Sequence, residues 1–264
     1  MRWPPGTSAE SQIEGLHRGL SRVRVSRQDQ AMTEKIPLLL LPGLLCDQAL
    51  WRAQVEALAD VADPRVGDLT KDDSLSGMAR RVLAGAPPRF ALAGLSMGGY
   101  AAQEIMRQAP DRVVRLALLD TSARADTAEQ TTRRRGLLEL SQKGEFKGVT
   151  SRLFPTWVHP ARSEDAPLLE IVAGMAQHVG KDAFLRQQTA IMGRPDGRED
   201  LRRIGCPTLV LCGRQDAATP LGLHEEIAGL IPGAKLAVIE DCGHLSTLEK
   251  PVSVTAALRQ WLLA

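Results

Sequence analysis

The chain has 264 residues, which is enough for one large α/β domain or two small ones. Hydrophobic residues make up 44% of the sequence, charged residues 24% and aromatic residues only 3%, and the formal net charge is +2. The scarcity of aromatic residues argues against a nucleic-acid binder that works by base stacking, and the balanced charge argues against a polyanion as partner.

The sequence predicts neither a membrane-spanning segment nor a disulfide bond. The longest apolar run, residues 36–46 (IPLLLLPGLLC), is too short to cross a bilayer and is interrupted by Pro42 and Gly43. It also lies too far along the chain to resemble a signal peptide. The cysteines show no CxxC spacing, and Cys206 and Cys212 are expected in one strand, too far apart to be bonded. We therefore expect reduced thiols in a cytoplasmic protein.

Residues 1–31 contain irregular, arginine-rich sequence such as HRGLSRVRVSRQ. Met32 begins MTEKIPLLLL, which has the character of a natural start. We therefore expect residues 1–31 to be a flexible N-terminal extension that is dispensable for activity. A short strand in residues 20–26 is the alternative.

From Ile36 onward, short apolar runs alternate with amphipathic segments. In chain order the pattern predicts strand IPLLLL, helix QALWRAQVEALAD after a cap at Asp47, strand DPRVGDL, helix SLSGMARRVLAGA starting at Ser74, strand RFALAGL, helix GGYAAQEIMRQAP and strand VVRLALLD. After a long gap follow strand PTLVLCG, helix PLGLHEEIAGLIP, strand AKLAVIE and a last helix within TLEKPVSVTAALRQWLL. Such alternation predicts an α/β fold with a mostly parallel, doubly wound sheet, whose core comprises residues 32–120 and 206–264.

The gap between the two parts of the core, residues 121–205, contains no convincing strand. It contains the helix-like segments DTAEQTTRRRGLLELSQKG, APLLEIVAGMAQHVG and DAFLRQQTAIMG. Because a structureless loop of this length is uncommon in a compact domain, we predict a helical cap insertion.

A serine stands at the junction of a predicted strand and a predicted helix, in GLSMGG (residues 94–99). G-x-S-x-G in this setting is typical of a nucleophile elbow, a tight turn that strains the serine backbone and exposes its hydroxyl at the carboxyl edge of the sheet. Gly94 and Gly98 would let the strand and the helix approach, and the helix N-terminus favours developing negative charge. Ser96 is therefore the candidate nucleophile, and a glycine-rich turn with an idle serine is the alternative.

A serine hydroxyl needs a base, and the base needs an orienting acid. Of the five histidines, His244 lies in a loop directly after the last predicted strand, on the sheet edge that holds Ser96. Asp216 also follows a strand, and the chain order Ser96, Asp216, His244 is the one expected of this architecture. Asp120, which ends another strand, is the rival acid. Asp241 is close to His244 in sequence but is expected to point elsewhere. Capping of the next helix is the alternative role for Asp216.

These motifs resemble those of the α/β-hydrolase-fold superfamily, and the chain is similar to its small capped esterases, enol-lactonases and cofactor-free perhydrolases. The resemblance covers residues 36–264 and rests on LLLPG with LW further on, GLSMGG, GRQDAATP and CGHLSTLEKP. Two features depart from the family pattern. Pro42 stands where relatives usually carry a histidine before Gly43, and the β-hairpin with which the family often begins is not evident in residues 1–35.

The resemblance implies a serine hydrolase that acts through an acyl-enzyme, without a metal or an organic cofactor. Ser96 would attack the acyl carbon, His244 would take its proton, and Asp216 would stabilise the imidazolium. The backbone N–H groups of Leu44 and Met97 would form the oxyanion hole. Ser96 excludes the aspartate nucleophile of haloalkane dehalogenases, and epoxide hydrolases of this fold are disfavoured for the same reason.

The sequence says less about the substrate. We expect a small-molecule ester with a small to medium apolar acyl group, on an apolar floor formed by Leu44, Leu45 and Met97. Four side chains of the insertion could face this floor, with ordinary core packing as the alternative: Phe154, Trp157, Met175 and Met192. The run RRR (residues 133–135) could attract a carboxylate substrate or an acidic carrier, although a solvated helix face is the favoured interpretation.

Other reactions and two non-catalytic roles stay open beside ester hydrolysis. The same residues could hydrolyse a lactone or a carbon–carbon bond, or could carry out perhydrolysis with peroxide. A non-catalytic ligand receptor would bind with little turnover, and the apparent triad argues against it. A purely structural protein would have no reason to place Ser96, Asp216 and His244 in these contexts.

Overall fold

The structure is a computed structural model that describes residues 35–144, 146, 148 and 153–264. Its strands are β1 (Ile36–Leu41), β2 (Ala62–Val66), β3 (Phe90–Leu95), β4 (Val113–Leu119), β5 (Thr208–Gly213) and β6 (Lys235–Ile239). They form one parallel sheet in the order β2-β1-β3-β4-β5-β6. The predicted strands and their parallel arrangement are confirmed.

Helices connect and cover the strands. They are α1 (Arg52–Leu58), α2 (Leu75–Gly85), α3 (Met97–Gln108), α4 (Ala128–Lys143), α5 (Ala166–Met192), α6 (Arg198–Leu201), α7 (Leu221–Leu230), α8 (Ser246–Glu249) and α9 (Pro251–Leu263). Ser74 caps α2 as predicted, because its side chain accepts a hydrogen bond from the Gly77 N–H. Asp47 instead caps a 3-10 turn, Gln48–Trp51, which precedes α1. Cys206 lies just before β5 rather than within it, and all four cysteines are free thiols.

The central strands β1, β3 and β5 are largely buried on both faces, as their apolar runs predict, whereas the edge strands β2 and β6 are partly exposed. Alternate residues of β1 point to opposite faces, so Leu38 and Leu40 join one core while Leu39 and Leu41 join the other. Residues of α1 and α9 complete the first core, and residues of α2, α3 and α7 complete the second. Because all six strands are parallel, their carboxyl ends lie along one edge of the sheet.

Three helices, α4, α5 and α6, lie between β4 and β5, and the described residues of this segment contain no strand. Helix α5 is interrupted at Gly180, whose φ of 76° is not helical. This break separates the two helix-like segments that the sequence predicts. Leu168, Val172 and Met175 from the first half pack into the same core as α1 and α9. The segment thus shares the hydrophobic core on this face of the sheet, and the boundaries of a cap at residues 121–205 stay a prediction.

The predicted N-terminal extension, residues 1–31, and the family's first hairpin lie outside the described residues. Among the helices that the structure describes, none combines the length and the apolar character needed to cross a bilayer.

Candidate active site

Ser96 occupies a strained turn between β3 and α3, with a φ of 55° and a ψ of −116°. A Cβ on Gly94 would overlap the backbone of Gly98, and a Cβ on Gly98 would overlap the backbone of Leu41, so this close approach needs glycine at both positions. The Ser96 N–H donates to the Leu119 carbonyl at 3.0 Å. These contacts hold the strained conformation that the sequence motif predicts.

Thr121, which follows β4, stabilises the same turn. None of the sequence motifs pointed to it. Its hydroxyl donates to the Ser96 carbonyl at 2.8 Å, and its N–H donates to Nε2 of His224 at 2.8 Å. His224 is fully buried, and burial lowers its pKa to about 4. A neutral imidazole can accept this hydrogen bond through Nε2, so His224 serves as a buried support behind the turn.

Ser96, His244 and Asp216 form a continuous hydrogen-bonded chain. His244 Nε2 lies 2.9 Å from Ser96 Oγ, and His244 Nδ1 lies 2.8 Å from Asp216 Oδ2. Asp216 also accepts hydrogen bonds from the N–H groups of Ala218 and Thr219 and from the Thr219 hydroxyl. The structure therefore brings together Ser96, Asp216 and His244, the three candidate residues that the sequence places after three separate strands.

The Asp216 carboxylate stabilises a proton on the His244 imidazole. Burial opposes charge on the His244 imidazole, but the charge and hydrogen bond of Asp216, with smaller contributions from Asp120 and Glu249, raise its pKa above the ordinary value. Burial likewise opposes charge on Asp216, yet His244 and the Thr219 donors hold the pKa of that carboxyl below its usual range. The arrangement suits a base that must carry a proton transiently.

Asp120, the rival acid, makes different contacts. Its carboxyl accepts a hydrogen bond from the Gly213 N–H at 3.0 Å and bonds with the Ser246 hydroxyl. Burial, followed by the charge of Asp216, raises the pKa of Asp120 well above its usual value. Asp120 thus braces the ends of β4 and β5 behind the histidine, while Asp216 touches the imidazole.

The amides predicted for an oxyanion hole belong to Leu44 and Met97. Among the described residues, neither N–H donates a hydrogen bond to the protein. The next residue, Leu45, has a φ of 59°, and its N–H donates to Oε1 of Gln187 at 3.1 Å. Gln187 also donates to the Leu69 carbonyl at 3.2 Å, so α5 fixes the loop after β1. None of the sequence motifs pointed to Gln187.

The loop that carries His244 is fastened by Glu249 and Trp157. The Glu249 carboxyl accepts hydrogen bonds from the N–H groups of Gly243 and Leu245 and, at 2.7 Å, from that of His159. The Trp157 carbonyl accepts from the N–H groups of His244 and Leu245, each at 3.1 Å. Burial raises the pKa of Glu249, and these backbone donors oppose the rise. Glu249 therefore joins the histidine loop to the segment between β4 and β5.

A cavity of about 120 Å³ opens beside Ser96 and His244. Leu44 and Trp157 line it, as do Tyr100, Arg134 and Ile191, which the sequence analysis did not predict as cavity residues. The other predicted contacts lie elsewhere. Phe154 and Met175 are buried in the core on the α1 side of the sheet, where the alternative interpretation put them, and Met97 is fully buried in the other core. Leu45 is also core, and Met192 is half-buried; neither side chain lines the cavity.

The described residues contain no cluster of three or more histidine, cysteine or acidic side chains that could hold a metal ion. The remaining histidines that the structure describes make contacts away from Ser96. His159 Nδ1 accepts from the Ala161 N–H at 3.1 Å, and His178 Nδ1 lies 2.6 Å from Asp47 Oδ2.

Comparisons with known proteins agree with this architecture. A model of the alpha/beta hydrolase family matches residues 38–258. The chain is 26% identical to the pimeloyl-[acyl-carrier protein] methyl ester esterase of Nitrosomonas europaea, over 81% of this chain and 90% of that one. It is also 26% identical to 3-oxoadipate enol-lactonase 2 of Acinetobacter baylyi, over 65% and 62% of the two chains. A thermophilic esterase from Thermogutta terrifontis, solved with malate bound, superposes with a TM-score of 0.79 at 31% identity, covering 86% of this chain and 89% of that one.

Proposed function

Because the chain belongs to the alpha/beta hydrolase family, we propose that it is a serine hydrolase that cleaves carboxylic esters through an acyl-enzyme intermediate. The observation that carries the proposal is the hydrogen-bonded chain from Ser96 Oγ through His244 to Asp216, with distances of 2.9 and 2.8 Å. Family membership supports hydrolysis as the reaction class. The ester as substrate and the three residue roles are the further steps of the proposal.

In the proposed mechanism, Ser96 Oγ attacks the acyl carbon while His244 Nε2 takes its proton. Asp216 stabilises the imidazolium through the bond to Nδ1. The imidazolium then gives the proton to the departing alcohol, which leaves Ser96 acylated. Water attacks the acyl-enzyme with His244 again as base, and the acid product leaves as Ser96 is regenerated.

The developing oxyanion would be met by the N–H groups of Leu44 and Met97. Both amides are unused by the described residues, which leaves them able to donate to a ligand. Loss of one such donor costs about 10²–10³ in rate in comparable sites, so these two groups would supply a large share of catalysis. Helix α3 begins at Met97, and its N-terminus adds a favourable field for negative charge.

The helical segment between β4 and β5 would act as a cap. It contributes Arg134, Trp157 and Ile191 to the cavity wall, whereas Ser96 and His244 come from the strand ends. The cavity volume of about 120 Å³ is below the roughly 300–1,000 Å³ common for drug-sized ligands. This size favours a short acyl group within the range that the sequence analysis allows.

Lactone hydrolysis is the second candidate, because one relative is named an enol-lactonase and a lactone is a cyclic ester. The proposed steps apply to it unchanged, except that the alcohol stays attached to the acyl group. Ring size and polarity would then decide between the two substrates.

Hydrolysis of p-nitrophenyl esters, from acetate to decanoate, tests the proposal. We expect the parent protein to favour the short esters and Ser96→Ala to lose at least about 10⁴-fold in kcat, because the nucleophile is removed. Ser253→Ala, at an exposed position in α9, is the matched control and should retain full activity. Equal rates for the parent and Ser96→Ala would refute the role of Ser96. A parent that hydrolyses small lactones but no open-chain ester would favour the second candidate.

A further inference from the structure

The arginine run at residues 133–135 does not present one uniform face. Arg133 and Arg135 are exposed, whereas Arg134 is partly buried and lines the cavity beside Ser96 and His244. The interpretation of the whole run as a solvated face is therefore wrong for Arg134. Among the described residues that line the cavity, Arg134 is the one with a permanent charge.

Arg134 is held firmly in place. Its Nε donates to Asp126 Oδ2 at 2.7 Å, and its Nη1 donates to Gln188 Oε1 at 2.9 Å. No described residue accepts a hydrogen bond from its Nη2. Two anchored nitrogens and one unused nitrogen give a guanidinium that is oriented in advance and can still donate to a ligand.

The positive charge of Arg134 is not cancelled by its partner. Asp126 is almost completely buried, with 1% of its side chain exposed. Its Oδ1 also accepts a hydrogen bond from Nη1 of Arg194 at 2.5 Å. Arg194 itself is 5% exposed, so the Asp126 carboxylate already has a buried cation of its own. The cluster of two guanidinium groups and one carboxylate therefore carries one net positive charge at the cavity wall.

Tyr100 adds a second polar group to the same wall. The Arg194 guanidinium lies over its ring at 4.3 Å from the centroid, and the Tyr100 hydroxyl makes no hydrogen bond with the described residues. Burial raises the pKa of Tyr100, although Arg194 and Arg134 oppose the rise, so the phenol keeps its proton and can donate. A neutral ligand would leave the excess charge of this wall without a counter-ion.

We propose that the cavity selects an ester that carries a carboxylate a few bonds from the scissile carbonyl, and that Arg134 binds this carboxylate. This inference deepens the proposed function and rests on it for the identity of the scissile bond. A planar guanidinium with a free N–H matches a carboxylate, and hydrogen bonds between charged partners are the stronger ones. The small cavity limits such a substrate to a short chain, as in a half-ester of a short dicarboxylic acid.

Two esters that differ in one end group provide the test. Monomethyl succinate and methyl butyrate have similar length, but only the first carries a carboxylate. For the parent protein we expect a kcat/KM about 10- to 100-fold higher for monomethyl succinate, the range for a charge-assisted hydrogen bond. Arg134→Gln should remove most of this preference, because kcat/KM should fall at least about tenfold more for monomethyl succinate than for methyl butyrate. Arg133→Gln, which changes an exposed residue of the same helix, should leave the preference intact.

Arg134→Lys is the second variant, because it keeps the charge near Asp126 if Arg134→Gln folds poorly. It should retain part of the preference, since a lysine lacks the planar fork. A parent that hydrolyses both esters equally well, or an Arg134→Gln variant that slows both equally, would overturn the inference while the proposed ester hydrolysis stands.

Binding measured without turnover separates the two proposals. Calorimetric titration of Ser96→Ala with monomethyl succinate should show binding that is at least about tenfold weaker in Ser96→Ala/Arg134→Gln. Arginine-dependent binding in a protein that hydrolyses neither ester would overturn the proposed function but keep the carboxylate site. Equal affinity of the two variants for monomethyl succinate would overturn the proposed carboxylate site.

Discussion

Two regions border the cavity, and they are built in different ways. The core edge, defined by Ser96, Asp216 and His244, lies at the ends of strands and is held by backbone hydrogen bonds. The insertion wall, defined by Arg134 and Trp157, belongs to the segment between β4 and β5. The difference implies a division of roles. Changes at the core edge should alter the rate for every ester, whereas changes to side chains of the insertion wall should alter the ratio between esters.

The largest effect is expected at the core edge, from Asp216→Asn. The amide cannot stabilise the imidazolium and favours the wrong tautomer, so kcat should fall by about 10⁴-fold for every ester tested. Asp120→Asn is the control, because Asp120 bonds to Gly213 and Ser246 rather than to the imidazole. We expect it to cost less than about tenfold. Comparable losses in the two variants, measured by steady-state kinetics, would contradict the assignment of Asp216.

A smaller effect should come from pH. Because Asp216, Asp120 and Glu249 raise the pKa of His244, the imidazole becomes protonated at a higher pH than an ordinary histidine as the pH falls. A protonated imidazole cannot act as base, so kcat/KM should decline about tenfold for each pH unit below that pKa. The apparent pKa should agree for several uncharged esters. A profile that stays flat below the ordinary histidine range would exclude His244 as the base.

The smallest effect is expected at the junction of the two regions, from Glu249→Gln. The variant loses one of the carboxylate acceptors that join the His244 loop to His159, so stability should fall by about 1–3 kcal/mol in urea unfolding. We expect kcat to drop by about 5- to 20-fold with little change in the ratio between uncharged esters. Removing a negative charge near His244 should also move the acid limb to lower pH, which a purely structural role would not do.

Glu240→Gln is the matched control for this junction. Glu240 pairs with Arg214 at an exposed site, so its replacement should change stability by less than about 0.5 kcal/mol and should leave the pH profile in place. A Glu249→Gln variant with the parent's pH profile would show that Glu249 acts on stability alone.

The core edge could be predicted from the sequence because its signals are local. Strands β1 and β3 are continuous apolar runs, Gly94 and Gly98 lie on either side of Ser96, and the candidate acid and base follow strands. In a parallel sheet these positions converge on one edge whatever the other packing details are. Chain order does not separate Asp216 from Asp120, because both lie between Ser96 and His244. Only the three-dimensional structure shows that Asp216 is the one that reaches the imidazole.

The insertion wall could not be predicted in the same way, because its residues depend on how helices pack across long sequence separations. Phe154 and Met175 are apolar residues that suit either a core or a pocket, and the structure places both in the core. Arg134 has exposed arginines on either side, and only its contacts with Asp126 and Gln188 distinguish it. Glu249 stands in a short helix, and its three backbone partners come from two loops.

The side chain of Gln187 couples the position of helix α5 to the loop that carries the proposed oxyanion-hole amide of Leu44. It reaches from α5 to the N–H of Leu45 and the carbonyl of Leu69, next to the amide proposed to meet the oxyanion. If α5 moved outward to widen the entrance, both hydrogen bonds would break and the left-handed conformation of Leu45 would lose its support. The most open state of the protein would then be its least reactive one. Wide access for bulk water and full chemical competence would be mutually exclusive.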